Sequence, residues 1–464
     1  SDLDGNRSQH GKPTARPEQN QPFSQESTFP SKPGRNQTRM HWICSTFGSH
    51  GDVFPMLGMA AELRRRGHRV TFATNDYYAP MAKECGFDFE PLGSEAEIEQ
   101  FIRDPDLWNP RRGFQRIFEA LRPHFRRQYE LHAELAVSKD VVAITNCLGF
   151  GAFMARDQGL LPVVTLHVQP GVIWSDYEPP TLPGVRGPRW LQRLLFRFGE
   201  RFYIDATVGA SLNAWRRELG LPKIRRCIRW WNSDHGVVCL FPEWFAPRQP
   251  DWPRKLEQTD FPLWNFRSEA TLAPAVQQFL QAGPAPIVFT PGSANVHGRQ
   301  FFANAIEACG KLGSRGILLT NFPEEQLPES LPADIAHFAY VPLDQLLPHA
   351  AAFVHHGGIG STSQAMLAGI PQLLIPMAHD QFDNAARVRK LQLGSSIYPE
   401  ARTGIPIATA LKQLLASSEV RSACRTAKSR LSQLDGIPRA VDTLETWFAT
   451  SGNPKTNPTP SVIR

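Results

Sequence analysis

Short apolar runs, each followed by a glycine-containing loop and then a helical segment, recur along two stretches of this chain. No other feature constrains its fold as strongly. Residues 40–46 form the first run, too short for a helix and flanked by turn residues, which suits a strand buried on both faces of a parallel sheet. A helical segment follows over residues 55–66, with Pro55 suited to a first turn, and Gly67-His68 ends it. Residues 69–73 return as a strand, completing a βαβ unit. Further strands are expected at 141–146, 163–168 and 237–241. After a Pro/Trp-rich stretch without periodicity (242–263), a second series begins. It predicts strands at 287–290, 316–319, 352–355, 372–375 and 395–398, with helices over 299–312, 361–368, 383–392 and 406–415. The fold class is therefore α/β, with two tandem Rossmann-like, doubly wound domains facing a central cleft. The expected domains are residues 40–262 and 263–450, the last helix packing back on the first domain.

Composition narrows the function classes. Residues 1–39 are rich in Pro, Gln, Asn and Ser with four apolar residues, too few to offset chain entropy, so this extension and the tail 451–464 are expected to be disordered. The net charge is +6, but it is spread evenly. Residues 1–39 carry 6 basic and 4 acidic groups, residues 40–262 carry 28 and 26, and residues 263–464 carry 16 and 14. No part is a basic binder in bulk, which argues against a nucleic-acid partner. The 7 cysteines are scattered and never spaced Cys-x-x-Cys, which argues against a disulfide framework and for a reducing compartment. No apolar run approaches the roughly 18 residues of a membrane span, and no secretory pattern is evident.

In open α/β sheets, ligands bind at the carboxyl ends of strands, beside the free N–H groups of helix N-termini. Of the loops expected there, the most informative is His355-His356-Gly357-Gly358-Ile359-Gly360-Ser361-Thr362. Its three glycines let backbone approach a ligand, and its hydroxyls, N–H groups and imidazole suit phosphate oxygens. A plain turn capped by Ser361 is the bland alternative. Residues 376–384 form a second such loop, where Asp380 and Gln381 offer a carboxylate and an amide that suit sugar hydroxyls; an acidic helix cap is the alternative. Gly292-Ser293 suits a phosphate or a turn. In the first domain, Asp52 and His50 are the titratable groups of the loop after the first strand. Either suits a general base, and Asp52 equally suits a helix cap. Gly149-Phe150-Gly151 imitates a dinucleotide fingerprint, but Met154 holds the third glycine position, so helix–strand packing explains it better.

Together these loops resemble the GT-B glycosyltransferases of family 1, in order and spacing, over residues 40–434. The stretches Gly51-Asp52-Val53-Phe54-Pro55, Asp106-Leu107-Trp108-Asn109-Pro110, Trp244-Phe245-Ala246-Pro247 and Ala378-His379-Asp380-Gln381-Phe382-Asp383-Asn384 resemble one branch, the catalytic rhamnosyltransferases of rhamnolipid synthesis. The resemblance implies a nucleotide-sugar co-substrate, dTDP-rhamnose or UDP-glucose, and no other cofactor. It places Asp52 at the acceptor-activating base, with His50 the competing candidate. His356, Gly357, Gly358, Gly360, Ser361, Thr362, Gly292 and Ser293 fall at the donor diphosphate, and Asp380 and Gln381 at the sugar. Tyr340, Val341 and Leu343 fall at the base, and Gln364 stands where many relatives carry a ribose-binding Glu.

The implied reaction is an inverting, metal-independent displacement at the anomeric carbon, with a hexose passing to a hydroxyl of an amphiphilic lipid such as a hydroxyacyl-hydroxyacid. A UDP-glucose-dependent enzyme acting on a sterol, polyketide or other hydrophobic aglycone is the alternative, and a sugar-nucleotide epimerase the alternative of another class. Arg189, Arg193, Arg197 and Arg201 recur every four residues, with Trp190, Leu191, Leu194, Leu195, Phe198 and Phe202 between them. As a helix this is an apolar face bordered by arginines, the composition of an interfacial helix. The expected location is cytoplasmic, with peripheral contact at the inner membrane surface.

Overall fold

The computed structural model describes residues 39–183, 185, 187–264, 272–398, 403–431 and 435–449. The disorder expected of residues 1–39 and 451–464 falls outside these residues, Arg39 excepted. The first sheet is built from β1 (His41–Ser45), β2 (Arg69–Thr74), β3 (Asp88–Pro91), β4 (Val141–Thr145), β5 (Val163–His167), β6 (Val237–Cys239) and β7 (Leu256–Gln258), in the order β3-β2-β1-β4-β5-β6-β7. The second is built from β8 (Ile287–Thr290), β9 (Gly316–Leu319), β10 (Ile335–Phe338), β11 (Ala352–His355), β12 (Gln372–Leu374) and β13 (Gly394–Ser396), in the order β10-β9-β8-β11-β12-β13. All pairings in both sheets are parallel. This is the GT-B architecture of two facing Rossmann-like domains.

Central strands such as β4 and β5 are buried at every position, which is why they read as continuous apolar runs. The three strands that the sequence pattern leaves out, β3, β7 and β10, each lie at a sheet edge. β3 and β10 are half-buried or exposed at most positions and so lack a continuous apolar signal, and the three-residue β7 sits inside the Pro/Trp-rich stretch.

Six helices position the cleft or close the fold: α1 (His50–Arg65), α2 (Gly113–Leu135), α3 (Arg189–Gly199), α4 (Ile359–Ala368), α5 (Gln381–Lys390) and α6 (Gly436–Ala449). The sequence places the start of α1 at Pro55, but the helix begins at His50. Ser49 caps it by accepting the Gly51 N–H (3.3 Å), and Asp52 reciprocates by accepting the Ser49 N–H (3.1 Å). This capping box outweighs the proline, which sits inside the helix and forfeits one backbone bond.

Helix α6 docks on the first domain. Ile437, Ala440, Val441, Leu444 and Phe448 join the core around Trp42, Met59 and Leu63, with Phe448 edge-on to Trp42 at 5.7 Å. Arg66 donates to Glu445 (2.7 Å) and to the Pro438 carbonyl (3.0 Å), and Arg439 pairs with Asp260. A side chain at Gly436 would overlap the Asp260 carbonyl, so the helix can seat only with glycine there. Gly436→Ala is expected to lower unfolding free energy by about 1–3 kcal/mol. Gly310→Ala, on an exposed helical face with open space at its Cβ, should instead be neutral or stabilising by up to about 1 kcal/mol. Urea titration of both variants checks the opposite signs.

Candidate active site

A cavity of about 1250 Å³ lies between the two sheets. Its walls are the loops after β1, β4 and β5 on one side and those after β8, β11 and β12 on the other, all at carboxyl ends.

On the second-domain side, the loop after β11 divides its two histidines between different tasks. His355 is fully buried against Phe353 (4.6 Å between ring centroids); its Nε2 is 3.1 Å from Gln372 and its Nδ1 accepts the Gly357 N–H. It therefore shapes the turn. His356 lines the cavity, its ring wedged between Gly292 and Gly358. A Cβ on Gly292, whose φ is 102°, would lie 3.0 Å from this ring, and one on Gly358 would overlap it. Burial, with His379 nearby, pushes the His356 imidazole down to about 4, so it is neutral at pH 7. Its Nδ1 is buried and has no partner among the described residues. Beside it, α4 starts at Ile359 with Gly358 as N-cap and no side-chain cap, so the first N–H groups open on the cavity. Gly360 and Ser361 line the cavity there, and Gly292 and the exposed Ser293 line it opposite. Gly357 and Thr362 do not reach it. Thr362 is buried with its hydroxyl donating to the Gly358 carbonyl (3.0 Å), and Gly357 packs on Gln381.

The loop after β12 brings Asp380 and Gln381 to the same space. Gln381 Oε1 accepts the Met377 and Ala378 N–H groups (2.7 and 3.0 Å), leaving its Nε2 as the donor. Asp380 accepts Asn384 Nδ2 (2.6 Å), which also donates to the Gly357 carbonyl (2.9 Å). Burial pushes the Asp380 carboxyl up to about 7; the Asn384 bond opposes this, and the negative charge of Asp52 on the facing domain reinforces it.

Asp52 enters from the first turn of α1. Its carboxyl is pushed up to about 6 by burial, against the lowering effect of Ser49. A Cβ on Gly48, held at φ 133°, would overlap this carboxylate, so the glycine makes its room. His50, two residues earlier, also lines the cavity, but its ring is held by neighbours: it stacks on Phe54 (4.8 Å) and abuts Tyr78 (5.7 Å). At the far end, Tyr340 is exposed, Val341 buried and Leu343 half-buried, all three at the cavity wall with Gln364. Gln364 Oε1 is buried without a partner among the described residues.

Three features escape sequence reasoning. Asn384 ties the two second-domain loops together. Asp383 links the domains, accepting the Thr181 N–H (2.9 Å) and Arg387 Nε (2.8 Å). His379 sits at φ 57° and meets Trp108 of the first domain edge-on at 6.0 Å. A run of polar residues at a helix start signals Asn384 and Asp383, but backbone strain at a histidine has no sequence signal. Asp104 and Asp106 have the Asp-x-Asp spacing of a metal-binding pair, but arginines occupy both. Asp104 is bound to Arg116 (2.7 Å) and Asp106 to Arg112 (3.1 Å). Among the described residues no group of three or more His, Cys, Asp or Glu is placed to hold a metal ion.

Comparison with known proteins fits this geometry. Residues 43–149 match the glycosyltransferase family 28 N-terminal domain, and residues 306–437 match the erythromycin biosynthesis protein CIII-like C-terminal domain. The chain is 25% identical over 426 residues to O-mycaminosyltylonolide 6-deoxyallosyltransferase of Streptomyces fradiae, covering 87% of this chain and 97% of that one. It is 23% identical over 432 residues to a sterol 3-beta-glucosyltransferase of Arabidopsis thaliana, covering 88% and 68%. Among solved structures, the calicheamicin glycosyltransferase CalG4 superposes with a TM-score of 0.67 at 20% identity, over 89% of this chain and all of that one. The spinosyn rhamnosyltransferase complexed with thymidine diphosphate gives 0.58 at 18%, over 88% and 100%. These relatives set the kinship with natural-product and sterol sugar transferases, broader than the rhamnolipid branch. The chain is a glycosyltransferase of GT-B fold, related to the sugar transferases of antibiotic and natural-product synthesis.

Proposed function

We propose that this enzyme transfers a hexose from a nucleoside-diphosphate donor to a hydroxyl of a hydrophobic aglycone of polyketide or sterol type. The carrying observation is the single cleft in which the uncapped start of α4, with His356, faces Asp52 on the other domain. The diphosphate sits on the free N–H groups of α4, with Gly292, Ser293, Gly360 and Ser361 around it, and a neutral His356 donates one N–H. Gly357 and Thr362 shape this loop from behind. Asp380 and Gln381 hold the sugar hydroxyls, and Asn384 fixes Asp380. Tyr340, Val341 and Leu343 flank the nucleobase, and the unpartnered Gln364 carbonyl accepts from a ribose hydroxyl. Apolar first-domain residues, among them Phe101, Trp108, Phe114 and Leu182, form the acceptor wall. The relatives named for polyketide-derived and sterol substrates favour this acceptor class.

Asp52 takes the acceptor proton as the oxygen attacks the anomeric carbon and the nucleoside diphosphate departs. His50, held in an aromatic stack, supports the wall beside it. The negative charge of Asp52 favours keeping the proton on Asp380, which suits Asp52 as the base and Asp380 as a donor to the sugar.

A second reading, dTDP-rhamnose onto a hydroxyacyl lipid, is favoured by the exposed aromatic and arginine side chains of α3 and by a rhamnosyltransferase among the similar structures. A donor panel with purified protein separates these readings: nucleoside diphosphate is measured with dTDP-rhamnose or UDP-glucose, against a macrolide aglycone, a sterol and a hydroxyacyl-hydroxyacid. Acceptor-dependent release supports transfer. Conversion of the donor without an acceptor points to the epimerase and overturns it.

Asp52→Asn is expected to lower kcat by about 10²-fold or more with nucleotide affinity retained. A carboxyl whose folded value is raised makes folding less favourable as pH climbs from about 4 to about 6, and the cost stays complete above that. The same variant should therefore keep or raise Tm at pH 7. Wild-type kcat/KM should climb with pH through about 6, and this limb should vanish in Asp52→Asn. Gly358→Ala, which drives a methyl into the His356 ring, is expected to weaken nucleoside-diphosphate binding about tenfold in calorimetry.

A further inference from the structure

Helix α3 and the π-turn after it (Glu200–Ile204) have two unlike faces. Inward, Phe196 is buried against Trp174 (4.2 Å), and Phe196, Glu200, Tyr203 and Ile204 form part of the cavity wall. Glu200 is anchored by Arg226 (2.5 Å). Outward, Trp190 is 66% exposed, Phe198 61% and Phe202 64%, with Leu194 between them. The Phe198 and Phe202 rings lie together, tilted by 37° with centroids 4.5 Å apart. Helical spacing produces this division: Phe196, Glu200, Tyr203 and Ile204 fall at i, i+4, i+7 and i+8 on one side, and Trp190, Leu194, Phe198 and Phe202 recur every four residues on the other.

Charge identifies what this outer face meets. Arg197 is paired with Asp176 (2.7 Å), but among the described residues Arg189, Arg193 and Arg201 form no ion pair. Arg189 and Arg201 are exposed, with Glu178 and Asp205 near enough to feel their charge but not paired with them, and Arg193 is half-buried. Cations that no ion pair holds, bordering exposed Trp, Phe and Leu, complement an anionic, partly apolar surface. A second copy of the face would bring like charges together, which disfavours self-association.

We propose that the outer face of α3 and its π-turn seats the enzyme on an anionic lipid bilayer, so that the acceptor cavity opens beside the membrane. Resting on the glycosyltransferase reading, this deepens it: an apolar acceptor enters along the bilayer rather than from water. Trp190, Leu194, Phe198 and Phe202 enter the headgroup region, the exposed Arg189 and Arg201 meet lipid phosphates, and the same helix walls the cavity.

Vesicle flotation tests this with the full chain, using phosphatidylcholine alone or mixed in equal parts with phosphatidylglycerol, at low and high salt. The wild type is expected to float with the mixed vesicles, less at high salt, and not with phosphatidylcholine alone. The triple variant Trp190→Ser/Phe198→Ser/Phe202→Ser should lose about tenfold or more of that binding. Arg189→Glu/Arg193→Glu/Arg201→Glu, which leaves the aromatic residues in place, should lose it equally. Calorimetry with UDP and TDP reads the donor half, and both variants should bind these within about twofold of wild type. Absence of wild-type flotation, or undiminished flotation of both variants, overturns the proposal. So does a wild-type dimer that the aromatic variant converts to a monomer, which would make the face a contact between copies. Failure of the wild type to bind either nucleotide strikes the glycosyltransferase reading, whatever the vesicles show.

Discussion

Parallel pairing sends every strand of a sheet to the same edge at its carboxyl end, and this chain does so twice with those edges turned toward each other. All else at the site follows from that constraint. The loops after β1, β8, β11 and β12 cannot avoid the shared cavity, and helices that begin there present unpaired N–H groups to it. The seam is held by a few specific bonds, such as Asp383 to the Thr181 N–H and Lys390 to Glu178 (3.0 Å). Helix α6 adds a larger tie by placing the chain's C-terminal helix in the core of the first domain. Two halves linked in this way can keep their facing groups in register while leaving the space between them open.

That space makes the electrostatics costly. Asp52 is the third residue of a helix and accepts a backbone N–H, both of which favour its ionised form. A helix N-terminus contributes only about 0.3–1 kcal/mol. A carboxyl moved from 3.8 to about 6 reflects roughly 3 kcal/mol in the opposite sense, so desolvation by burial wins. The glycines show the same priority of site over stability. Gly48, Gly292 and Gly358 each leave room for a titratable side chain, and two of the three hold a positive φ that other residues rarely adopt.

Much of this was legible in the sequence. The central strands announced themselves because burial on both faces demands unbroken apolar runs, and β8, β9 and β11 fall where those runs do. Three of the four edge strands, β3, β7 and β10, did not, being short and lacking a continuous apolar run, whereas the fourth, β13, falls near the strand expected at 395–398. The glycine-rich loops could be placed at strand ends, and the Gly149–Gly151 decoy behaves as packing: a Cβ on either glycine would overlap Thr145 or the Phe125 backbone. The start of α1 was misplaced because a proline signals a first turn more loudly than a capping box formed by Ser49 and Asp52. Which of two adjacent histidines reaches the cavity was also hidden. His355 and His356 are alike in sequence, and strand alternation with the Gly292 and Gly358 gaps separates them only in three dimensions.

The capping box bears on chemistry as well as on folding. Had α1 begun at Pro55, Asp52 would sit in a mobile loop, free to turn into water and regain an ordinary carboxylate value. Starting at His50 instead fixes Asp52 on a rigid element, with one oxygen engaged by the Ser49 N–H. It also sends His50 into the stack with Phe54 and Tyr78. A proline that interrupts the helix five residues in is tolerated because the box secures the first turn independently. The two features that were alternatives in sequence, a helix cap and a general base, are therefore compatible in structure. Capping consumes one carboxylate oxygen and aims the group, and burial raises its basicity.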